Sequence, residues 1–303
     1  MSTEIFASVS GFTIERLRVF CSVAESGSIV LAAQGDATRQ SQYSRQIKEL
    51  EEFLRTRLFE RVSNSIRLTD NGRKLAATTH SYFRFIGELR AGSAGEEGIR
   101  IGAGESVFRW LLMPRLGALQ DVAGPAHLEL FTKNTRQSIE SVRLGLLDMA
   151  IVRRESADDS LEALPCGSLS FALVMPRKML AVRSDNGTRL PPKIPLALHT
   201  GDSVHTKGVM ALAEKLGVKF DIRVRAESAN LLVSAIENAD LAAVVPAPAL
   251  AVLPKDRFAS VGQEETKSLA FDLSLVFSPQ TARLRENIRR TAPRISGLFA
   301  SLS

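Results

Sequence analysis

The sequence predicts a mixed α/β protein in which a small N-terminal domain of helices and one hairpin precedes a larger domain of alternating strands and helices. Up to residue 91, apolar residues recur at helical spacing, interrupted only by one pair of short β-like segments. From residue 99 onward, apolar segments of strand length alternate with amphipathic segments, which is typical of parallel sheets covered by helices. Residues 92–98 separate the two patterns and are rich in glycine, so we expect a hinge there.

The bulk properties are those of an intracellular protein with at least two domains. The chain has 303 residues, of which 45% are hydrophobic, and it contains no run of about 18 apolar residues that would predict a membrane span. The N-terminus lacks the pattern of a secretion signal, and the two cysteines form no motif. A reducing cytoplasm is therefore expected. The net charge of +6 permits nucleic-acid binding without proving it.

The first helix is predicted over residues 13–26. Its apolar stripe consists of Leu17, Phe20, Cys21 and Ala24. Gly27 can end this helix, and Ser28 can cap a short second helix. The small side chains of Ala32 and Ala33 allow the second helix to pack closely on its neighbours.

A third helix is predicted over residues 39–54, and its two faces differ. The apolar face consists of Tyr43, Ile47, Leu50 and Leu54, and the opposite face carries Ser41, Ser44, Arg45 and Lys48. Between Arg39 and Lys48 the chain has three basic residues and no acid. A helix that packs on one face and offers donors on the other fits the major groove of DNA. An ordinary amphipathic surface helix has the same pattern.

A basic hairpin is predicted next. Two short apolar segments surround the polar turn at residues 63–65, and Arg61 and Arg67 flank that turn. Two helices joined by a turn and followed by a basic hairpin form a winged helix, in which the helix reads base edges while the wing holds phosphates. The candidate contacts with double-stranded DNA are Arg39, Gln40, Ser41, Gln42, Ser44, Arg45, Lys48, Arg61, Asn64 and Arg67.

A long helix is predicted over residues 69–91. One stripe alternates at spacings of four and three, which suits pairing with a second copy of the same helix. Its members are Leu68, Gly72, Leu75, Thr79, Tyr82, Ile86 and Leu89. A helix that packs on its own domain would show the same spacing.

Residues 14–75 resemble the DNA-binding domain of a LysR-type transcriptional regulator. The matching runs are Gly27-Ser28, Ala32-Ala33, Ser44-Arg45-Gln46-Ile47, Leu50-Glu51, Leu58-Phe59-Glu60-Arg61 and Leu68-Thr69-Asp70-Asn71-Gly72. Asp36 departs from the buried leucine usual in the family, Ser41 from a common proline, and Arg39 from a common serine. We therefore expect Thr38 to cap the third helix, and the base preference of the family is not carried over to residues 39–42.

The resemblance implies a transcriptional regulator that acts as a homodimer or homotetramer on an interrupted palindromic operator. It also implies contact with RNA polymerase if the protein is an activator, and a small-molecule effector bound by the larger domain.

The larger domain is predicted to contain eight strands in one sheet or two. The strands are Ile99–Ala103, His127–Lys133, Met149–Arg153, Leu169–Met175, Leu196–His199, Phe220–Ala226, Leu241–Val245 and Leu269–Phe277, and the helices are 106–120, 135–147, 203–216, 229–238 and 281–302. Polar stretches at 155–165 and Gly262–Ser268 suit two crossings between two lobes. That topology resembles periplasmic solute-binding proteins, and it is the effector domain that the LysR-type resemblance implies.

Four segments follow from these boundaries. They are a winged helix-turn-helix domain at 1–68, a linker helix at 69–91, the hinge at 92–98 and an effector domain at 99–303. Within the effector domain, lobe I comprises 99–163 and 266–303, and lobe II comprises 164–265. The family match here rests on the runs at 101–104, 112–116 and 144–151.

An effector site is predicted between the lobes, at the carboxyl ends of strands. The candidate contacts are Gly104, Glu105, Ser106, Arg153, Thr200, Gly201, Asp202 and Ser203. The segments 104–106 and 200–203 each follow a strand and open a helix, where backbone N–H groups can hold an anion, although ordinary helix capping explains the serines equally well. Arg153 could pair with a carboxylate or lie solvated. We expect the effector to be a small organic acid. The negative charges of Glu105 and Asp202 count against a purely anionic ligand.

Enzyme signatures are missing from the sequence. Gly102 and Gly104 form a lone Gly-x-Gly with Val107 in place of the third glycine, and no phosphate loop or nucleophile elbow occurs. The four histidines show no metal-binding spacing. We expect no catalysis, no cofactor and no metal. The alternative function is a winged-helix regulator that senses no metabolite and acts through protein contacts.

Overall fold

The structure, a computed structural model, describes residues 12–62, 65–90, 98–182, 188–200 and 204–300. The elements of its N-terminal part are α1 (Ile14–Ser26), α2 (Ile29–Ala32), α3 (Ala37–Leu54), β1 (Phe59–Val62), β2 (Ser65–Leu68) and α4 (Asp70–Arg90). The predicted helices and hairpin are confirmed, and the hairpin is antiparallel with Glu60 opposite Arg67. The candidate contact Asn64 and the hinge residues 92–97 lie outside the described residues.

Local capping signals set the first two helices. The Thr13 side chain accepts a hydrogen bond from the Arg16 N–H at 3.2 Å and starts α1. Gly27 ends α1 in the left-handed conformation, with φ of 64°. The Ser28 side chain then accepts from the Leu31 N–H and starts α2. The predicted roles of Gly27 and Ser28 are confirmed.

The expected cap of α3 was wrong. Asp36, and not Thr38, holds the N-cap position, and its Oδ1 accepts from the N–H groups of Thr38 and Arg39 at 2.8 and 3.0 Å. An aspartate satisfies two free N–H groups and also faces the positive end of the helix dipole. The family's buried leucine is therefore replaced here by an exposed capping acid.

The core of the N-terminal domain forms where these helices meet the hairpin. Phe20 and Leu50 are fully buried, and Leu58 is 1% exposed. Burying each such side chain contributes about 1.5–3 kcal/mol. The first turn of α4 lies against this core, since a Cβ built on Gly72 would be 2.1 Å from the carbonyl oxygen of Leu58. Only glycine permits that approach.

The predicted dimer seam on α4 divides into two halves. Leu68, Gly72 and Thr79 are buried and Leu75 is half-buried, so these members pack within their own chain. The C-terminal members remain exposed, and Phe85, which the spacing had not selected, joins them. Tyr82, Phe85, Ile86 and Leu89 are 47, 51, 43 and 46% exposed. The 4-3 spacing could not reveal which partner covers each half.

The effector domain contains two sheets of five strands among the described residues. Its strands are β3 (Ile99–Ala103), β4 (Leu128–Thr132), β5 (Met149–Arg153), β6 (Glu162–Leu169), β7 (Phe171–Pro176), β8 (Ala181–Val182), β9 (Thr188–Arg189), β10 (Lys193–His199), β11 (Lys219–Ala226), β12 (Ala242–Pro246), β13 (Phe258–Val261) and β14 (Phe271–Phe277). Its α-helices are α5 (Glu105–Val107), α6 (Leu116–Ala123), α7 (Thr135–Arg143), α8 (Val204–Lys215), α9 (Ala229–Asn238), α10 (Gln263–Thr266), α11 (Pro279–Leu284) and α12 (Glu286–Ala300). The sheet of lobe I has the order β4-β3-β5-β14-β6, and that of lobe II has the order β11-β10-β12-β7-β13.

The sheets are mixed, whereas the alternation had predicted parallel ones. β3 runs parallel to β4 and β5, and β10 runs parallel to β11 and β12. The strands that cross between lobes enter antiparallel, because β14 pairs with β5 and β7 pairs with β12 in that sense.

The structure moves both lobe boundaries. β6 occupies the stretch that was expected to be a loop up to residue 165, and the chain crosses to lobe II at Ser170. Pro165 is accommodated because β6 pairs on one side only, with β14. The return crossing is at Ala270 rather than 265/266, because Leu269 still packs in the core of lobe II.

Two long helices predicted in lobe I are interrupted. The segment predicted as a helix at 106–120 runs from α5 through a π-helical turn, Phe108–Leu112, and a 3-10 turn that contains Pro114, before α6 begins. Proline lacks the N–H that a continuous helix requires. The last helix breaks at Arg285, whose backbone is extended and whose side chain turns into the protein.

We predict that Gly72→Ala destabilises the protein while Gly87→Ala on the same helix does not. The added methyl group at residue 72 must displace the Leu58 carbonyl, whereas a Cβ at residue 87 meets nothing within 4 Å. Urea unfolding should show a loss of at least about 1–3 kcal/mol for Gly72→Ala and a gain of about 0.5–1 kcal/mol for Gly87→Ala. Equal stabilities of the two variants would contradict this packing.

Candidate DNA-contact face and effector cavity

Helix α3 presents the polar face that the sequence predicted. Gln40 is half-buried, and the remaining candidate side chains of this helix are exposed, as are those of Arg61 and Arg67 on the hairpin. Ile47 and Leu50 anchor the opposite face in the core. The structure therefore brings the described candidates onto α3 and the neighbouring hairpin, and their contacts with DNA stay a prediction.

Each cation on this face has an acidic partner nearby. Arg45 Nε lies 2.8 Å from Glu49 Oε1, Lys48 Nζ lies 3.7 Å from Glu52, and Arg39 lies 3.8 Å from Asp36. Hydrogen bonds from Arg45 and Arg16 hold the pKa of Glu49 below its ordinary value. Exposed pairs of this kind are weak and screened by salt, so a phosphate or a guanine can replace the acid.

Glu51 fixes the hairpin beside α3. Its Oε1 accepts from the N–H groups of Leu58 and Phe59 at 2.7 and 3.1 Å, and its side chain is 10% exposed. The Thr69 hydroxyl donates to the carbonyl of Arg57 at 2.7 Å and accepts from the Gly72 N–H at 3.0 Å. These contacts orient helix and wing as one body. From the sequence, Glu51 and Thr69 are identified only as members of segments that resemble the family, and these hydrogen bonds are not predicted.

The effector cleft is a cavity of about 450 Å³ between the two lobes. Gly104, Glu105, Ser106 and Arg153 line it, as their positions at strand ends had indicated. Thr200 is not among the lining residues, and residues 201–203 lie outside the described ones. The expected contact of Thr200 with a ligand therefore has no support from this lining, to which His199, the last residue of β10, contributes instead.

A row of flat side chains forms one wall of the effector cleft. The guanidinium carbon of Arg153 lies 3.8 Å from the ring centroid of Phe271, and the Phe271 and Phe171 centroids are 5.7 Å apart. The His205 ring follows at 4.3 Å from Phe171. Both phenylalanines come directly after the two crossings between lobes. Burial, together with nearby Arg153 and His199, lowers the pKa of His205 to about 4, so this imidazole is neutral at pH 7.

Two contacts join the lobes across the effector cleft. Asn230 at the start of α9 donates a hydrogen bond to Glu105 at the start of α5. Trp110, which follows α5, packs into a core cluster of lobe II. Glu105 is thereby partly satisfied by lobe II, which reduces its conflict with an anionic ligand. Lys133 and Arg153 are the cations of the lining, and Glu105 and Glu227 are its acids.

The described residues contain neither a candidate metal-binding cluster nor a candidate membrane-spanning helix. Their histidines, cysteines and acids form no cluster of three that could hold a metal ion. None of their helices combines the length and apolar character that crossing a membrane requires.

Two segments of the chain match known families. Residues 14–73 match the bacterial regulatory helix-turn-helix protein, lysR family, and residues 93–288 match the LysR substrate binding domain. The second match alone spans more than half of the chain.

Named relatives agree with these matches. A probable RuBisCO transcriptional regulator of Trichormus variabilis is 27% identical over 175 residues, which are 54% of this chain and 51% of the relative, so the chain spans about half the length of the curated relative it matches. A probable hydrogen peroxide-inducible genes activator of Mycobacterium avium is 24% identical over 297 residues and 95% of both chains.

The fold is shared with full-length LysG from Corynebacterium glutamicum, solved with bound effector Arg. The TM-score is 0.60 with 15% identity, over 94% of this chain and 98% of that one. Winged helix, linker helix and two-lobed domain thus occur in one known arrangement, and the chain belongs to the LysR family of bacterial transcriptional regulators.

Proposed function

We propose that this chain binds double-stranded DNA of defined sequence through α3 and the hairpin, under the control of a small organic acid held in the effector cleft. The observation that carries the proposal is the polar face of α3, with Arg45 83% exposed and the basic hairpin fixed beside it by Glu51. Arg45 and its neighbours on α3 would read base edges, and Arg61 and Arg67 would hold phosphates.

An organic acid fits the charges and shape of the effector cleft. Arg153 stacks on Phe271 and keeps guanidinium N–H groups for a carboxylate, while its contact with the exposed Glu155 is long, at 3.6 Å. Lys133 supplies a second cation, and Ser106 also lines the cleft. The aromatic rings leave apolar surface for the body of the ligand.

Peroxide sensing, which the name of the Mycobacterium avium relative suggests, is not supported by the thiols of this chain. Cys21 and Cys166 are both buried, and burial raises the pKa of each thiol to about 12. The thiolate is the form that reacts with oxidants, so neither residue is poised as a sensor.

A homodimer or homotetramer would place two copies of α3 on the two halves of an interrupted palindrome. The exposed apolar stripe of α4, which consists of Tyr82, Phe85, Ile86 and Leu89, is the candidate contact between copies. Contact with RNA polymerase follows only if the protein activates transcription.

We predict that Arg45→Ala weakens binding to DNA from the region upstream of the protein's own gene by about 5- to 100-fold, the range expected for one lost base contact. Arg67→Ala should weaken specific and nonspecific duplexes alike and reduce the salt slope by about 1. Arg289→Ala is the matched control, since Arg289 is also exposed and paired one turn away, but on lobe I. Fluorescence anisotropy against salt concentration measures these effects. If Arg45→Ala binds like the control, α3 does not read the bases.

We predict that Arg153→Gln and Ser106→Ala each reduce binding of the best ligand from a panel of small carboxylic acids by about fivefold or more, the effect of one lost buried hydrogen bond. Thr200→Val should bind normally, because Thr200 does not line the effector cleft. Thermal shift and fluorescence of Trp110, the only tryptophan of the chain, report binding. Normal binding by both cleft variants would place the ligand elsewhere.

We predict that Phe85→Glu and Ile86→Glu lower the mass seen in sedimentation equilibrium by at least half, because each places a charge in the exposed stripe of α4. Val252→Glu, an equally exposed position on lobe II, should leave the mass unchanged. A wild-type mass for both stripe variants would exclude this surface as the contact between copies.

A further inference from the structure

Helix α7 lies between two cavities. Its first turn lines the effector cleft. Residues along its whole length line a second cavity of about 750 Å³, the interdomain cavity, which lies between lobe I and the DNA-binding domain. Thr135 lines both cavities, whereas Glu140 and Arg143 line only the second. The helix has nine residues and is therefore about 13 Å long. One short rigid element thus touches both the effector cleft and the DNA-binding domain.

The N-terminal end of α7 is held by a capping box whose members lie in the wall of the effector cleft. Asn134 Oδ1 accepts from the Gln137 N–H at 2.9 Å, and Gln137 Oε1 accepts from the Asn134 N–H at 3.3 Å. These two side chains satisfy N–H groups that would otherwise be free. A ligand that contacts this wall acts directly on the start of α7.

The C-terminal end of α7 is built into the DNA-binding domain. Leu144 is 4% exposed and belongs to the same apolar cluster as Leu17, Leu50 and Leu58. The next residue, Gly145, has φ of 72°, and a Cβ there would lie 3.0 Å from the backbone of Ala77 on α4. The end of α7 and the linker helix therefore touch backbone to backbone.

A buried charge cluster, the coupling joint of Asp148, Arg84 and Arg285, locks this contact. Asp148 Oδ1 accepts from Arg84 on α4 at 2.7 Å and from Arg285 at 2.6 Å, and its Oδ2 accepts from the Arg100 N–H at 2.8 Å. The second terminal nitrogen of Arg84 donates to the Gly145 carbonyl at 2.7 Å. Arg84 thus bridges the end of α7 and Asp148. Removing Asp148 would leave the buried guanidinium groups of Arg84 and Arg285 without this shared acid.

We infer that α7 and the coupling joint carry the effector signal from Asn134 to the linker helix, and so to α3, within a single chain. This inference rests on the proposed function and adds the path by which the effector signal reaches the DNA-binding domain. Movement at the start of α7 displaces Leu144 and Gly145 at its other end. Because Arg84 on α4 is bonded to both Gly145 and Asp148, this displacement must rearrange the contacts of Arg84 or move α4. The hinge predicted at 92–98 falls mostly outside the described residues, whereas this route runs through packed contacts.

Hydrogen exchange of the full-length protein tests the route without effector or DNA. Asn134→Ala removes the cap, and amides of α4 near Ala77 should exchange at least twofold faster than in the wild type. Ser228→Ala is the matched control, because Ser228 also caps a helix beside the effector cleft, but in lobe II. It should accelerate exchange in α9 only. Faster exchange of α4 in both variants, or in neither, would overturn the inference.

A second variant tests the joint itself. Arg84→Lys keeps the charge beside Asp148 but cannot reach both acceptors at once. Adding Asn134→Ala to Arg84→Lys should therefore change α4 exchange less than adding it to the wild type. An undiminished effect would mean that the signal bypasses Arg84. If Asn134→Ala does not fold, Gln137→Ala removes only the reciprocal bond and gives the same test. Because these readouts need no ligand, they fail independently of the effector proposal.

Discussion

The buried carboxylate of Asp148 fixes how the two halves of this regulator sit on each other. It has no exposed surface, and its partners Arg84 and Arg285 come from positions 64 and 137 residues away in the chain. Breaking such a buried pair by removing one partner costs about 3–5 kcal/mol, which is a large part of the stability of an ordinary domain. The linker helix therefore stays on lobe I while this cluster is intact.

The remaining geometry follows from that attachment. Gly72 and Thr69 hold the start of α4 against the hairpin, and hydrogen bonds to Glu51 hold the hairpin against α3. The DNA-contact face therefore moves together with the linker helix. A ligand in the effector cleft can change this arrangement only by binding one state more tightly than another. To shift the ratio of two conformational states from 1:99 to 99:1, the ligand must bind the favoured state more tightly by about 5.5 kcal/mol. A more balanced starting ratio would need a smaller difference in binding free energy.

The sequence predicts features that depend on local chemistry and misses those that depend on distant partners. Gly27 and the apolar stripes of α1 and α3 are local signals, and they were correct. Asp36 was misjudged because the family pattern suggested an apolar residue there, although aspartate is itself a strong cap. β6 was missed because Pro165 suggests a loop until its edge position is known. The pairing of Arg84 with Asp148 has no periodicity or motif, so only the folded chain reveals it.

A double-mutant cycle between Arg84 and Asp148 tests the central claim most directly. The free energies of urea unfolding would be compared for the full-length wild type, Arg84→Met, Asp148→Asn and the double variant. If this buried pair holds the linker helix on lobe I, the coupling energy should be at least about 2 kcal/mol. The double variant should then lose less stability than the sum of the losses of the two single variants. Single effects that add within about 0.5 kcal/mol would contradict the account, because the linker helix would then be held to lobe I by something other than this pair.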